Sequence, residues 1–148
     1  MILGTGIDLV DIRRIEAVLS RQGERFVRRI LTPAERDTYQ TYTGQRQLQY
    51  LAGRFAIKEA VAKAIGTGIG AWLGWQDLET SQEGGRPTVF LSEAAKRRLN
   101  GFLSAQKGTG GIGDDAPGMW ERLSIHVSLS HERNYLVAQA VAEACSDV

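Results

Sequence analysis

The clearest pattern of apolar and polar positions lies in the middle of the chain and predicts a buried helix. Read at about 100° per residue, one apolar stripe is formed by Ile57, Ala60, Val61, Ala64 and Ile65. A stripe of this kind packs a helix against a core. Glu59 and Lys63 are four residues apart and lie together on the opposite side. Arg54 and Lys58, also four apart, lie at the edge of the stripe.

A second apolar run, residues 1–10, predicts a strand that carries one acid, Asp8, among its Ile, Leu and Val residues. An acid in such a run costs free energy unless it is paired or bound to a metal. Asp8 could instead cap the helix that follows, although Asp11 is the better cap candidate. Glu59 and Lys63 could likewise be an ordinary surface ion pair, which contributes little to stability. Taken singly, the two features leave the function open.

Helix signals organise the first half of the chain. Helical spacing is present over residues 12–19 and returns at residues 26–31. Residues 32–35 read Thr-Pro-Ala-Glu, with Thr at the cap, Pro at the first helical position and Glu at the third, which predicts a helix start. The long helix that carries the stripe spans about residues 46–65, and Gly66 suits its C-terminal cap.

Strand signals dominate the second half. Strand patterns are present in residues 75–80, 88–91, 123–129 and 135–142. A turn at residues 131–134 is predicted to join the last two strands into an antiparallel hairpin. Between the two pairs, Ser92 is predicted to cap an amphipathic helix, and residues 104–118, with five glycines, predict a long loop. Helices and strands are mixed without a βαβ rhythm, so the chain predicts an α+β fold.

Size and composition indicate one domain formed by residues 1–148. The 43% hydrophobic and 24% charged residues are those of a soluble globular protein. No apolar run approaches the length of a membrane span, and without a cationic leader we expect no signal peptide. The single cysteine, Cys145, excludes an intrachain disulfide and suits a reducing cytoplasm. We therefore expect a cytoplasmic protein with no membrane partner.

Charge is unevenly placed along the chain. The net charge of +1 argues against a nucleic-acid partner. Residues 11–31, however, carry six arginines against three acids, a local excess of +3. A cluster of this kind is usually a solvated helix face. It also suits a surface that attracts an acidic protein.

Three segments together resemble one protein family. Residues 6–14 read Gly-Ile-Asp-Leu-Val-Asp-Ile-Arg-Arg, and residues 55–66 read Phe-Ala-Ile-Lys-Glu-Ala-Val-Ala-Lys-Ala-Ile-Gly. Residues 126–131 read His-Val-Ser-Leu-Ser-His, and Tyr-Leu-Val-Ala follows at residues 135–138. In content and order these motifs are similar to those of the 4'-phosphopantetheinyl transferases, in their short bacterial type. The resemblance implies that family's fold, in which helices pack on a small, mainly antiparallel sheet.

The resemblance also implies a transfer reaction. Coenzyme A is the donor, a serine of an apo acyl carrier protein is the acceptor, and adenosine 3',5'-bisphosphate is the leaving group. Mg²⁺ is the implied cofactor, with Asp8 and Glu59 at the positions of its ligands, and a hard cation prefers such carboxylate oxygens. Lys63 would place a positive charge on a phosphate. The proton acceptor stays open between a water molecule on the metal and Glu59 itself.

Arg46 and His131 match positions that the family uses near the coenzyme, and Arg54, Lys63 and Ser128 are further predicted coenzyme contacts. Lys58 could also contact a phosphate or could be structural. His126 is interpreted as a solvated strand residue. Ser128 and His131 are not read as a hydrolase dyad, since no nucleophile elbow surrounds them. The short type is implied to form homotrimers, so the metal ligands of one subunit would meet Ser128 or His131 of another.

The implied carrier protein is acidic, and the arginines that follow Asp8 would form its docking surface. We expect Arg14 and Arg25 to act there. The acceptor could instead be a carrier domain of a polyketide or peptide synthase, although enzymes for such domains are usually tandems of two similar halves. In a different class, the chain could be a non-catalytic module that binds acidic proteins or nucleotides, although such a module needs no pair of metal ligands.

Overall fold

The computed structural model describes residues 1–106 and 118–145. Its helices are α1 (Ile12–Gln22), α2 (Glu24–Ile30), α3 (Pro33–Thr41), α4 (Gly44–Ile65) and α5 (Glu93–Gln106). Its strands are β1 (Ile2–Asp11), β2 (Leu78–Glu83), β3 (Arg86–Leu91), β4 (Leu123–Glu132) and β5 (Tyr135–Ala144). Most of the loop predicted at residues 104–118 lies outside the described residues, and residues 104–106 belong to α5 instead.

Helix α4 packs across a three-stranded antiparallel sheet of order β1-β5-β4, while β2 and β3 form a separate hairpin. All five residues of the predicted stripe are buried. Their core is shared by the buried residues of β5, namely Leu136, Ala138, Ala140 and Ala142. The predicted α+β class, with helices on a small antiparallel sheet, is confirmed. Within residues 1–106 and 118–145, no helix is long and apolar enough to cross a membrane.

Local signals set the helix ends where the sequence predicts them. The Asp11 carboxylate accepts a backbone N–H of α1 at 3.0 Å and caps that helix. The alternative cap role of Asp8 is therefore wrong. Thr32 and Glu35 form the reciprocal capping box of α3. Gly66 ends α4 in the left-handed conformation, with a φ of 94°.

The strand predicted at residues 75–80 begins later than expected. Residues 75–77 form a short 3-10 turn, and β2 starts at Leu78. The reason is a side-chain contact, because the Asp77 carboxylate accepts the backbone N–H of Gly74 at 2.8 Å and closes the turn. Aspartate competes with strand pairing in this way by bonding to nearby backbone groups.

The turn predicted at residues 131–134 is also shorter than expected. β4 continues through Glu132, which pairs with Tyr135, so the turn consists of Arg133 and Asn134 alone. Arg133 has a φ of 49°, a conformation that usually favours glycine. With arginine at that position, the sequence carries no signal for a two-residue turn. His131 consequently lies in a strand rather than in the turn.

Candidate active site

Strand β1 and helix α4 approach each other more closely than side chains would permit. A Cβ atom placed on Gly6 would lie 1.9 Å from the carbonyl oxygen of Ala60, and one on Gly4 would lie 2.2 Å from that of Ala64. Real Cβ atoms do not occur at such distances, so glycine is required at both positions. Since alternate residues of a strand share a face, Asp8 continues the face on which Gly4 and Gly6 contact α4.

Asp8 meets two charged residues of α4. Lys63 Nζ donates to Asp8 Oδ1 at 2.9 Å and to the carbonyl oxygen of Ile7 at 3.0 Å. The Asp8 side chain is 15% exposed, against 48% for Lys63. Burial and the nearby Asp8 carboxylate raise the pKa of Glu59, and Lys63 opposes that shift. The structure thus brings Asp8, Glu59 and Lys63 to one place, where Lys63 pairs with Asp8 and its charge also acts on Glu59.

This donor set fits Mg²⁺. Two carboxylates of one small site repel each other, and a cation between them removes that cost. Mg²⁺ commonly takes one or two protein carboxylates and completes its coordination with water and substrate phosphates. A zinc site would need three or four nitrogen, sulfur or carboxylate ligands. In the part of the chain that the structure describes, no group of three or more His, Cys, Asp or Glu side chains could hold a metal.

The predicted phosphate contacts Arg46 and Arg54 lie on another side of α4, about 140° around the helix from Glu59. The Arg46 guanidinium stacks over the Tyr42 ring at 4.6 Å, and that of Arg54 over Tyr50 at 4.8 Å. Arg54, Tyr42 and Tyr50 line a cavity of about 480 Å³ that is bounded on its far side by the β2–β3 hairpin. Arg54 is almost fully buried, and burial lowers its pKa.

Lys58 does not contact the Asp8 site, so the hypothesis that it binds a phosphate is wrong. Its side chain is completely buried, and its Nζ donates to Glu35 Oε1 at 2.6 Å. The carbonyl oxygens of Ile30 and Trp75 accept from the same ammonium at 2.7 Å and 3.0 Å. From the sequence, Glu35 was predicted only as part of a helix cap. The available signal was Lys58 itself, a lysine that directly follows a buried apolar residue of the stripe.

Ser128 and His131 lie on β4, apart from the Asp8 site within this chain. Leu129 points toward α4, since a Cβ on Gly53 would be 3.2 Å from it. Its neighbour Ser128 is exposed on the opposite face of the sheet. His131 is exposed and pairs with Leu136, so two strand spacings, roughly 10 Å, separate it from β1. The structure does not bring either residue to Asp8 in one subunit.

His126 lies on the same exposed face as Ser128 and is solvated, as predicted. Its Nε2 is 3.0 Å from Glu143 Oε2, across the β4–β5 pair. Both side chains remain substantially exposed, which limits the energetic weight of the contact.

The arginine-rich segment divides into engaged and available side chains. Arg13 donates to both oxygens of Asp11, at 2.9 Å and 2.8 Å, which lowers the pKa of that carboxyl. Arg28 lies 3.9 Å from Glu24 within α2. Arg14 and Arg25 are exposed, and neither has an ion pair or side-chain hydrogen bond with the residues that the structure describes. The two arginines predicted for docking are therefore available to an external partner.

Comparison with known proteins confirms the resemblance. The model of the 4'-phosphopantetheinyl transferase superfamily matches residues 4–140. A holo-[acyl-carrier-protein] synthase of Shouchella clausii is 40% identical over 97% of this chain and 99% of its own length. One of Shewanella amazonensis is 43% identical over 95% of this chain and 97% of its own.

Solved structures agree with these sequence matches. A holo-(acyl-carrier-protein) synthase of Bacillus anthracis, in complex with CoA (3',5'-ADP), superposes with a TM-score of 0.73 at 33% identity and covers 98% of this chain and 99% of its own. The corresponding enzyme of Neisseria meningitidis also has a TM-score of 0.73, at 32% identity, covering 97% and 99%. Sequence, fold and full-length coverage agree, and the chain belongs to the 4'-phosphopantetheinyl transferase superfamily.

Proposed function

We propose that the chain transfers 4'-phosphopantetheine from coenzyme A to a serine of an apo acyl carrier protein and releases adenosine 3',5'-bisphosphate in a magnesium-dependent reaction. The observation that carries the proposal is the meeting of Asp8, Glu59 and Lys63 where β1 approaches α4. Relatives that match the chain along almost their whole length are holo-[acyl-carrier-protein] synthases, and one solved relative binds coenzyme A. A cytoplasmic location suits the single residue Cys145.

The three residues have distinct roles in the proposed reaction. Asp8 and Glu59 supply the oxygen ligands of Mg²⁺. When bound, Mg²⁺ supplies charge neutralisation at the pyrophosphate of coenzyme A and helps align the reacting groups. Lys63 neutralises the charge of Asp8. About half of the Lys63 side chain is exposed (48%), so its ammonium group is also presented to a phosphate at the mouth of the site.

The remaining coenzyme contacts are proposed to come together between subunits. Ser128 faces away from Asp8 in the same chain, and His131 lies two strands away. A cleft between neighbouring copies would place Ser128 and His131 of one subunit against the metal ligands of the next. Arg46 and Arg54 remain proposed phosphate contacts. The cavity beside Arg54 supports its role, because a buried guanidinium favours an anionic partner.

A homotrimer is proposed on the same grounds. The sheet face opposite α4 exposes Ile7 and Leu9, which are 63% and 69% exposed, and Tyr135 at its end is 50% exposed. An apolar sheet surface with an open edge favours association with another copy. This face also carries Ser128, so one contact would bury the apolar side chains and complete the coenzyme site.

Leu9→Glu is expected to dissociate the trimer and abolish transfer, because it places a charge in the apolar contact. The molar mass measured by light scattering after size exclusion is expected to fall from three times 16.2 kDa to 16.2 kDa. Ala94→Glu, on the exposed face of α5, is the matched control and should leave the mass unchanged. A monomeric wild type, or a trimeric Leu9→Glu, would refute this assembly.

Arg14→Glu is expected to weaken carrier-protein binding selectively. The exposed Arg14 side chain steers an acidic partner, so its reversal should raise the KM for the carrier about tenfold at low salt. The KM for coenzyme A should stay unchanged, and the defect should shrink as salt increases. Arg97→Glu, an exposed reversal on α5, controls for net charge. An equal rise in both KM values for Arg14→Glu would rule out the docking role.

The activity itself is tested by mass spectrometry. The protein is incubated with coenzyme A, Mg²⁺ and an apo acyl carrier protein, and the carrier is expected to gain the mass of phosphopantetheine on one serine. Parallel reactions with EDTA in place of Mg²⁺ test the metal requirement. If no carrier mass increase occurs with any divalent cation, the transfer proposal fails.

A further inference from the structure

The buried carboxylate of Glu35 joins parts of the fold that are distant in sequence. It is 1% exposed and accepts four hydrogen bonds. Oε1 accepts the backbone N–H of Thr32 at 2.8 Å and Lys58 Nζ at 2.6 Å. Oε2 accepts the backbone N–H and the hydroxyl of Thr80, at 2.9 Å and 2.5 Å. A capping box needs only the first of these contacts, so three further donors converge on Glu35.

One of those donors connects Glu35 to the metal-ligand pair. The Lys58 ammonium donates three hydrogen bonds, to Glu35 and to the carbonyl oxygens of Ile30 and Trp75, which uses all of its N–H groups. Glu59 is the next residue on α4, about 100° further around the helix. Because Lys58 is held from three directions, its anchor fixes the rotation of α4 about its own axis. That rotation sets whether Glu59 faces Asp8.

The other oxygen of Glu35 connects to the cavity on the far side of α4. The Thr80 hydroxyl donates to Glu35 and accepts Arg54 Nη1 at 3.1 Å. Arg54 is 5% exposed and lines the cavity of about 480 Å³. One carboxylate therefore holds, through single intermediates, both the residue next to Glu59 and a guanidinium at the cavity wall.

We infer that Glu35 is a positioning residue for phosphopantetheine transfer, which orients Glu59 through Lys58 and Arg54 through Thr80. The inference rests on the proposed role of Glu59 as a metal ligand. Stability alone does not explain the pair, because apolar residues of similar volume commonly replace a buried ion pair without loss of stability. Apolar contacts do not fix the orientation of a side chain, whereas the hydrogen bonds of Glu35 and Lys58 do.

The test separates positioning from folding. Glu35→Gln keeps the shape of the side chain and removes its charge, and the double variant Glu35→Gln/Lys58→Met replaces the ion pair by a neutral pair of similar size. Thr32→Val is the matched control, since it removes the cap hydroxyl of α3 and leaves Lys58 and Thr80 in place. For each protein, Mn²⁺ binding in the presence of coenzyme A is measured from the electron paramagnetic resonance of the free ion. Melting temperature, kcat and the Mg²⁺ dependence of transfer complete the set.

The double variant is expected to melt within a few degrees of the wild type, yet to bind Mn²⁺ about 10- to 100-fold more weakly and to show a similar fall in kcat. The melting temperature of Thr32→Val should be lower than that of the wild type, and its Mn²⁺ affinity should be unchanged. If the double variant folds and binds Mn²⁺ like the wild type, the inference is overturned. A wild type that transfers equally well in EDTA overturns the metal proposal instead, so the two failures are distinguishable. Should the double variant not fold, folded Glu35→Gln with wild-type Mn²⁺ affinity overturns the inference equally.

Discussion

Glu59→Gln is expected to lower the rate of transfer at least about 1,000-fold while leaving the protein folded. The amide has the size of the carboxylate but carries no charge, so it is a poor ligand for a hard cation. Charge neutralisation by a metal is worth several kcal/mol in a transition state, and each 1.4 kcal/mol corresponds to a factor of ten in rate. The measurement is kcat for carrier modification at saturating coenzyme A and Mg²⁺.

The stability of the same variant tests the electrostatics of the site. In the metal-free protein the pKa of Glu59 is raised, first by burial and then by Asp8. A raised pKa means that the protonated form stabilises the fold below the unfolded pKa and that this stability is lost as pH rises through the folded pKa. At neutral pH, metal-free Glu59→Gln should therefore melt at or slightly above the wild-type temperature. The difference should vanish toward pH 4, near the pKa of an unperturbed glutamate.

Glu83→Gln, at the exposed end of β2, is the control for loss of one negative charge and should behave as the wild type. A Glu59→Gln protein with activity within a few-fold of the wild type would show that the metal assignment is wrong. A large fall in its melting temperature without metal would show instead that Glu59 has a structural role, contrary to its proposed role as a metal ligand.

Most of the fold was predictable from the sequence because its helices and strands are marked by local chemistry. Thr32, Glu35 and Gly66 signal helix ends through hydrogen bonds and backbone conformations that depend on a few adjacent residues. The apolar stripe of α4 signals burial through its spacing alone. The turn at Arg133 was predicted two residues too long for the opposite reason, since its positive φ is imposed by the β4–β5 register and not by the residue.

Part of the site was predictable from the sequence. The separation of Arg46 and Arg54 from Glu59, on different sides of α4, was not. Asp8 and Glu59 were predicted as ligands from motif resemblance and ligand chemistry, and the structure places them together with Lys63. The role of Lys58 stayed open between phosphate binding and a structural contact, because its partner Glu35 lies 23 positions away in sequence. Contacts of that range depend on how α3 packs against α4, which the spacing of residues on α4 cannot reveal.

Gly6→Ala is expected to lower activity and stability together. A Cβ at this position would lie 1.9 Å from the Ala60 carbonyl oxygen and 2.8 Å from the backbone nitrogen of Ala64. Both atoms belong to the α4 backbone, so the clash cannot be relieved by a rotamer change and must separate β1 from α4. Overpacking of this kind costs about 1 to 3 kcal/mol, equivalent to a fall in melting temperature of roughly 2 to 10 °C.

The same separation moves Asp8 away from Glu59 and Lys63. A displacement of about 1 Å in a catalytic group costs roughly 100-fold in rate, so activity should fall by at least that factor in the protein that remains folded. Gly101→Ala in α5 is the matched control: its Cβ would meet a Trp72 ring atom at 3.4 Å, an ordinary contact, and alanine favours the helix. Wild-type activity and stability in Gly6→Ala would contradict the close approach of β1 to α4. Lost activity with retained Mn²⁺ binding would contradict the argument that this approach assembles the metal ligands.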